Sequence, residues 1–214
     1  MTELLLIRHG ETDWNAERRL QGFLDIGLND HGRQQAVALA QALGDEVLDA
    51  IIASDLQRAL HTAQALALPR ALTVQVDASL RERCYGAFEG LLYDEIAGIY
   101  PQAHASWMAR EIDARFPPGQ QNAETLREFS ARAVDSVIAV ARRHAGKKIA
   151  IVTHGGVLDC VYRAARGVQL DSARDFDIVN TGINRFHWDG NVLSVLQWGN
   201  VAHLGEAPLD EAKQ

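Results

Sequence analysis

The chain predicts an α/β fold: a three-layer α/β/α sandwich whose central sheet is mainly parallel, with one antiparallel strand. Three observations carry this. Short strand-like runs alternate with amphipathic stretches along most of the 214 residues, the pattern of a parallel sheet covered by helices on both faces. The strongest runs are continuously apolar rather than alternating, as expected of strands buried on both sides. Near the end, INRFHWDGNVLSVLQWG (183–199) reads as a hairpin turning at Asp189-Gly190, which supplies the antiparallel strand.

Taken in order, ELLLIRH (3–9) is the first strand. Asn29-Asp30 caps a helix that runs through AVALAQAL to Leu43 and stops at Gly44. DAIIAS (49–54) is a second strand, and LQRALHTAQALAL (56–68) a helix ended by Pro69. TVQVD (73–77) is a third strand. The stretch from Leu91 to Asn122 is less regular, with short helices expected near 93–99 and 102–114 and a break at Pro117-Pro118-Gly119. A long amphipathic helix (123–146), a strand (147–156) and a helix (156–167) precede the hairpin. The tail after Val201 is polar and reads as loosely held. No repeat or Gly/Ser/Pro-rich linker divides the chain, so a single domain, 1–214, is expected, with an insert at about 91–122. At this length roughly 70% of the unfolded chain's surface is buried, so no staples are needed.

Composition narrows the function. The formal net charge is −7, which argues against nucleic acid or an anionic membrane as partner. No apolar run is long enough to span a bilayer. MTELLLIRHG has neither a basic start nor a small-residue cleavage site, so no signal peptide is expected. Cys84 and Cys160 match no metal spacing and read as reduced thiols, which gives a cytoplasmic expectation. Oligomeric state is not legible, and a homodimer is left open.

In open α/β sheets, ligands bind beyond the carboxyl ends of the strands. The first strand is followed by Arg8-His9-Gly10, the second by Ser54 and then Arg58, the third by Leu80-Arg81-Glu82-Arg83, and the fourth by His154-Gly155-Gly156. Four strand ends thus bring Arg8, Arg58, His9, His154 and Glu82 toward one edge. Guanidinium forks suit the oxygens of a phosphate. Helices starting after Ser54 and Gly155 add free N–H groups and positive dipole ends. An imidazole among such charges has a lowered pKa and stays neutral, as a nucleophile must. A neighbouring carboxyl can protonate a departing alcohol.

Singly, each residue has a plainer reading. Arg8 and Arg58 could be surface ion-pair partners, His9 a satisfied strand-end histidine, Glu82 part of an exposed charge run, and His154 a polar residue at a helix start. It is their convergence that favours a site. His9, Glu11 and Asp13 alternate like metal ligands, but no second cluster and no H-E-x-x-H accompany them, so no metal is expected. The other histidines share no spacing, and no phosphate-cradling glycine loop is present.

IRHGETDWN, SDLQRALHTA, LRERCYGAFEG and VTHGG, in this order, resemble the histidine phosphatase superfamily, the phosphoglycerate mutase-like family. LQGFLDIGLNDHGRQQA (20–36) and AETLREFSARA (123–133) extend the likeness along nearly the whole chain. The resemblance implies that His9 carries a phosphohistidine. Arg8, Arg58 and His154 would hold the phosphoryl oxygens, and Glu82 would be general acid and then base. Asn15, Gln21, Gly22 and Gly155 would complete the phosphate pocket, with Tyr85 at the substrate. No cofactor and no metal is implied; the partner is a small phosphorylated substrate.

Phosphatases and mutases of the family share the phosphohistidine. Here Tyr93 stands where the mutases place a lysine, and the insert 94–122 holds only Arg110 and Arg115. A pocket poor in second-site cations favours a metal-independent phosphomonoesterase, with a phosphoglycerate mutase as the alternative. A phosphate-binding module that has lost catalysis is a third reading, disfavoured because every expected position is filled. Tyr93, Tyr100, Trp107, Met108 and Phe116 suggest an amphipathic pocket roof.

Overall fold

The computed structural model describes residues 1–205. Six strands form one sheet in the order β3-β2-β4-β1-β5-β6. They are β1 (Thr2–Arg8), β2 (Ala50–Ala53), β3 (Val74–Val76), β4 (Lys148–Thr153), β5 (Ile183–Trp188) and β6 (Leu193–Asn200). β1 to β4 pair in parallel. β5 runs antiparallel to both of its neighbours, β1 and β6. This is the sheet that the apolar runs and the hairpin signal predict.

Both faces of the central strands are buried, which explains their unbroken apolarity. Leu4 and Leu6 of β1 pack with Ile149 and Ile151 of β4 against α6 (Leu126–Arg143) and α7 (Gly155–Arg166). Leu5 and Ile7 point the other way, onto α2 (Asp30–Ala42) and α3 (Gln57–Ala67). One-residue alternation along a strand thus sends successive side chains to opposite helical layers. A third cluster lies under the insert and joins Tyr85, Phe88, Trp107 and Phe116.

Helix starts follow local chemistry. Asn29 caps α2, its side chain accepting from the Gly32 N–H at 2.7 Å. Thr125 and Glu128 close a capping box on α6, so that helix begins three residues later than its apolar pattern suggests. A one-turn helix α1 (Asp13–Ala16), which the sequence reading lacks, is closed in the same way by Thr12 and Asn15.

In the insert, α4 spans Tyr93–Ile99 and α5 Pro101–Met108. The predicted 102–114 helix stops early because Arg110 adopts a left-handed backbone, φ 51°, without a glycine or proline to announce it. The polar tail beyond Gly205 lies outside the described residues.

Candidate active site

Strand register assembles the site. β2, β4 and β1 are adjacent, with Ala53 opposite Val152 and Thr153 opposite Arg8. The next residue on each strand is therefore Ser54, His154 and His9. The ladder continues through them: Ser54 N donates to Val152 O at 3.0 Å and His9 N to Thr153 O at 2.9 Å. Neighbouring strands lie roughly 4.8 Å apart, and the His9 and His154 rings have centroids 5.2 Å apart.

His9 is buried and its tautomer is fixed. Nδ1 lies 2.7 Å from Gly10 O. A carbonyl can only accept, so Nδ1 carries the proton and Nε2 carries the lone pair. Burial first, and then the positive charges of Arg58 and Arg8, hold the ring well below its ordinary pKa. It is a neutral imidazole with one nucleophilic nitrogen.

His154 closes the other side. Its Nε2 is 2.8 Å from Ser54 Oγ, and its buried Nδ1 makes no hydrogen bond among the described residues. With the Ser54 hydroxyl donating to Nε2, Nδ1–H is a donor awaiting an acceptor. A buried donor left this way costs about 1–3 kcal/mol, which a bound oxyanion would recover. Burial, and after it Arg58, His9 and Arg8, lower this ring's pKa as well.

Arg8 and Arg58 are 2% and 1% exposed, which rules out the surface ion-pair reading. Backbone carbonyls hold them: Arg8 Nη1 donates to Ile178 O at 2.8 Å, and Arg58 Nη1 and Nη2 donate to Leu24 O and Gly22 O. These carbonyl contacts fix both guanidiniums in the interior, beside His9 and His154.

Glu82 accepts through both oxygens, from Arg83 N at 2.8 Å and from Gly156 N at 3.0 Å. Gly156 is required here, since a Cβ would meet Glu82 Oε1 at 2.2 Å. The VTHGG motif thus supplies both His154 and the space in which Glu82 sits. Gly22 is similarly constrained, with φ 52° and Glu89 packed against it.

Other expected residues divide. Gly155 is the buried first residue of α7, and Gln21 is buried with Oε1 unpartnered among the described residues. Asn15 Oδ1 accepts from Thr12 N at 3.1 Å, so that oxygen serves the α1 cap. Glu11 Oε1 accepts from Asn29 Nδ2 at 2.8 Å, while Asp13 is exposed in α1, so neither joins His9. Cys84 is buried and its thiol is pushed up to about 11, mainly by burial.

Tyr85 lines a second, small cavity between the insert and α7. That cavity corrects two sequence expectations. Arg83 is 4% exposed, not part of a solvated charge run; its guanidinium lies over Phe116 and donates to Glu124 O. With Arg110 it lines the cavity, so second-site cations do exist. Asp159 and Glu111 line it too and balance their charge. Of the expected roof, Trp107 and Phe116 face this cavity, whereas Met108 is exposed.

The low pKa values have a consequence for stability. Histidine titrates near 6.5 when unfolded, and both rings stay neutral in the fold, so protonation favours the unfolded chain. Their contribution is intact above about pH 6.5 and is lost as pH falls toward the folded pKa values, at up to about 1.4 kcal/mol per pH unit for each ring. Thermal unfolding between pH 7.5 and 5 should show this fall, and His154→Gln should make it shallower. An equal slope in that variant would contradict the assignment.

Comparison with known proteins agrees with this geometry. A sequence model of the histidine phosphatase superfamily (branch 1) matches residues 4–201. Phosphoglycerate mutase-like protein 4 of Arabidopsis thaliana is 40% identical over 208 residues, covering 95% of this chain and 87% of that protein. The metal-independent phosphoserine phosphatase of the same plant is 35% identical over 209 residues, covering 95% and 84%. Phosphoserine phosphatase from Entamoeba histolytica, solved with 3-phosphoglyceric acid, superposes with a TM-score of 0.83 at 28% identity, covering 95% of this chain and 99% of that one. No helix among the described residues is long and apolar enough to cross a membrane. On motif order, strand register and near-full-length similarity alike, the chain belongs to the histidine phosphatase superfamily, branch 1, and is an enzyme of its phosphatase type.

Proposed function

We propose that the chain is a metal-independent phosphomonoesterase acting on a small phosphorylated metabolite through a phosphohistidine on His9. The carrying observation is the neutral His9, with Nδ1 pinned to Gly10 O and Nε2 left to attack. In the first step Nε2 forms a bond to phosphorus while the ester P–O bond breaks. Glu82 protonates the leaving oxygen, and Arg8, Arg58 and the His154 Nδ1–H hold the equatorial oxygens. In the second step Glu82 takes a proton from water, which attacks phosphorus and frees His9. The arginines supply the charge stabilisation that a metal gives in other phosphoryl transfers.

A mutase reading gains from Arg83 and Arg110, which the sequence argument against it did not count. It needs a strongly anionic second group held while the phosphohistidine waits. The formal charges of Arg83, Arg110, Glu111 and Asp159 around the second cavity cancel, so that cavity does not attract a net anion, and hydrolysis is favoured. The two buried, free cysteines suit a reducing compartment, so the reading places the enzyme in the cytoplasm.

The test is hydrolysis of nitrophenyl phosphate near pH 6, with and without EDTA, together with incubation with 3-phosphoglycerate. Turnover unaffected by EDTA, with phosphate released, is expected. Rapid isomerisation of 3-phosphoglycerate without phosphate release would overturn the choice in favour of the mutase.

A further inference from the structure

Glu82 stands in a stretch, residues 81–85, that is neither helix nor strand. Such a stretch has no ladder of its own, so its backbone groups are held from outside. Just before it, Leu80 O accepts from the Thr153 hydroxyl of β4 at 2.8 Å. Within it, Cys84 O accepts from Glu124 N at 2.9 Å, and Cys84 N donates to Glu124 Oε2 at 2.9 Å. The carbonyls of Ser79, Arg81 and Glu82 all go to one side chain, Arg132 of α6.

Arg132 uses every donor it has. Nη1 donates to Ser79 O and Arg81 O, both at 2.9 Å, and Nη2 to Glu82 O at 3.0 Å. Nε and Nη2 also donate to Glu124 Oε1 and Oε2, both at 2.7 Å. A guanidinium has five N–H groups, and these contacts account for all of them. None is left for a substrate. The Phe129 and Phe23 rings lie 5.2 and 5.8 Å from the guanidinium carbon and add cation–π attraction. The Arg132 and Glu124 side chains are 23% and 20% exposed, so the pair's own contribution to stability is modest. Its value is geometric. The two-point contact with Glu124 fixes the guanidinium plane, and that plane sets where three loop carbonyls sit. Glu82 is thus held twice, by Arg83 N and Gly156 N at its carboxylate and by Arg132 at its carbonyl.

We infer that Arg132, locked by Glu124, is the positioning residue of the general acid: it fixes the loop 79–84 so that the Glu82 carboxyl meets the leaving oxygen. This rests on the phosphatase reading above, in which Glu82 is the acid, and deepens it. A general acid works only within hydrogen-bond reach of the atom it protonates, and a displacement of about 1 Å can cost on the order of 10²-fold. The phosphate grip is anchored elsewhere, with Arg8 on Ile178 O and Arg58 on Leu24 O and Gly22 O. Loss of Arg132 should therefore impair protonation and spare phosphate binding.

The test measures kcat/KM on aryl and alkyl phosphates of rising leaving-group pKa, beside phosphate affinity by isothermal titration. Arg132→Met should lower turnover of the alkyl esters on the order of 10²-fold and that of nitrophenyl phosphate far less, with phosphate affinity kept. Arg132→Lys keeps the charge but has three donors and no fork, so it should fall between. In the Glu82→Gln background, Arg132→Met should add little to the loss on alkyl esters, because two residues serving one proton transfer are not additive. Should Arg132→Met fail to fold, Arg132→Lys and Glu124→Gln carry the same test, each expected to steepen the leaving-group dependence. One common factor for all esters, wild-type behaviour of Arg132→Lys, or full additivity with Glu82→Gln would overturn the inference. If the wild type hydrolysed no ester, or Glu82→Gln left the dependence unchanged, the reading of the site would fall and this inference with it. A steeper dependence in Glu82→Gln but not in Arg132→Met would sink only the role of Arg132.

Discussion

Replacing His9 by alanine is expected to lower kcat by on the order of 10⁴- to 10⁶-fold, the range for deleting a nucleophile from a site whose members act as a unit. The structure offers no ready substitute. His154, the nearest imidazole, has its Nε2 engaged by Ser54, so its lone pair is not aimed at phosphorus. Phosphate affinity should survive the change, because the grip belongs to Arg8, Arg58 and His154. Removing the His9 ring also relieves crowding at the centre of the pocket. Isothermal titration with phosphate or vanadate, beside single-turnover kinetics, separates the two effects. Loss of binding in parallel with loss of turnover would assign His9 a holding role instead.

Glu82→Gln is the second large effect, and it should depend on the leaving group. A poor leaving group such as a serine hydroxyl needs a proton as the P–O bond breaks, and general acid catalysis contributes about 10²- to 10⁴-fold. Nitrophenolate leaves without one, so its dephosphorylation should fall far less. Part of the cost is structural. Both Glu82 oxygens accept backbone N–H groups, and a glutamine must turn its NH₂ toward one of them. That component is independent of the leaving group. Measuring kcat/KM across esters of graded alcohol pKa therefore isolates the acid role: a steeper dependence in the variant supports it, and an unchanged slope assigns Glu82 to scaffolding alone.

The parts of this protein that were readable from its sequence share a physical reason. Arg8, His9, Ser54 and His154 directly follow continuous apolar runs, and a parallel register places such strand ends side by side. Local chemistry likewise announced α2 through Asn29 and the hairpin through Asp189-Gly190. The second cavity left weaker traces. Arg110 and Asp159 are 49 residues apart and meet only because the insert folds back over α7. The end of α5 depends on a left-handed arginine, for which the local residues give no turn signal. Arg83 looked solvated in R-E-R because its burial comes from Phe116 and Tyr85, aromatic partners supplied by the insert and by the segment before it. One clue was available: Asp159 and Arg163 lie four residues apart within the apolar GVLDCVYRAAR helix, and a charge pair among buried positions asks for a partner or a ligand.

The covalent step is the claim on which the mechanism stands, and rapid quenching during turnover of a ³²P-labelled phosphomonoester tests it directly. The account predicts an acid-labile, base-stable phosphoryl group on the enzyme, recovered in the peptide that contains His9 and absent from His9→Ala. Turnover with no labelled enzyme at any quench time, or with the label on His154, would contradict it.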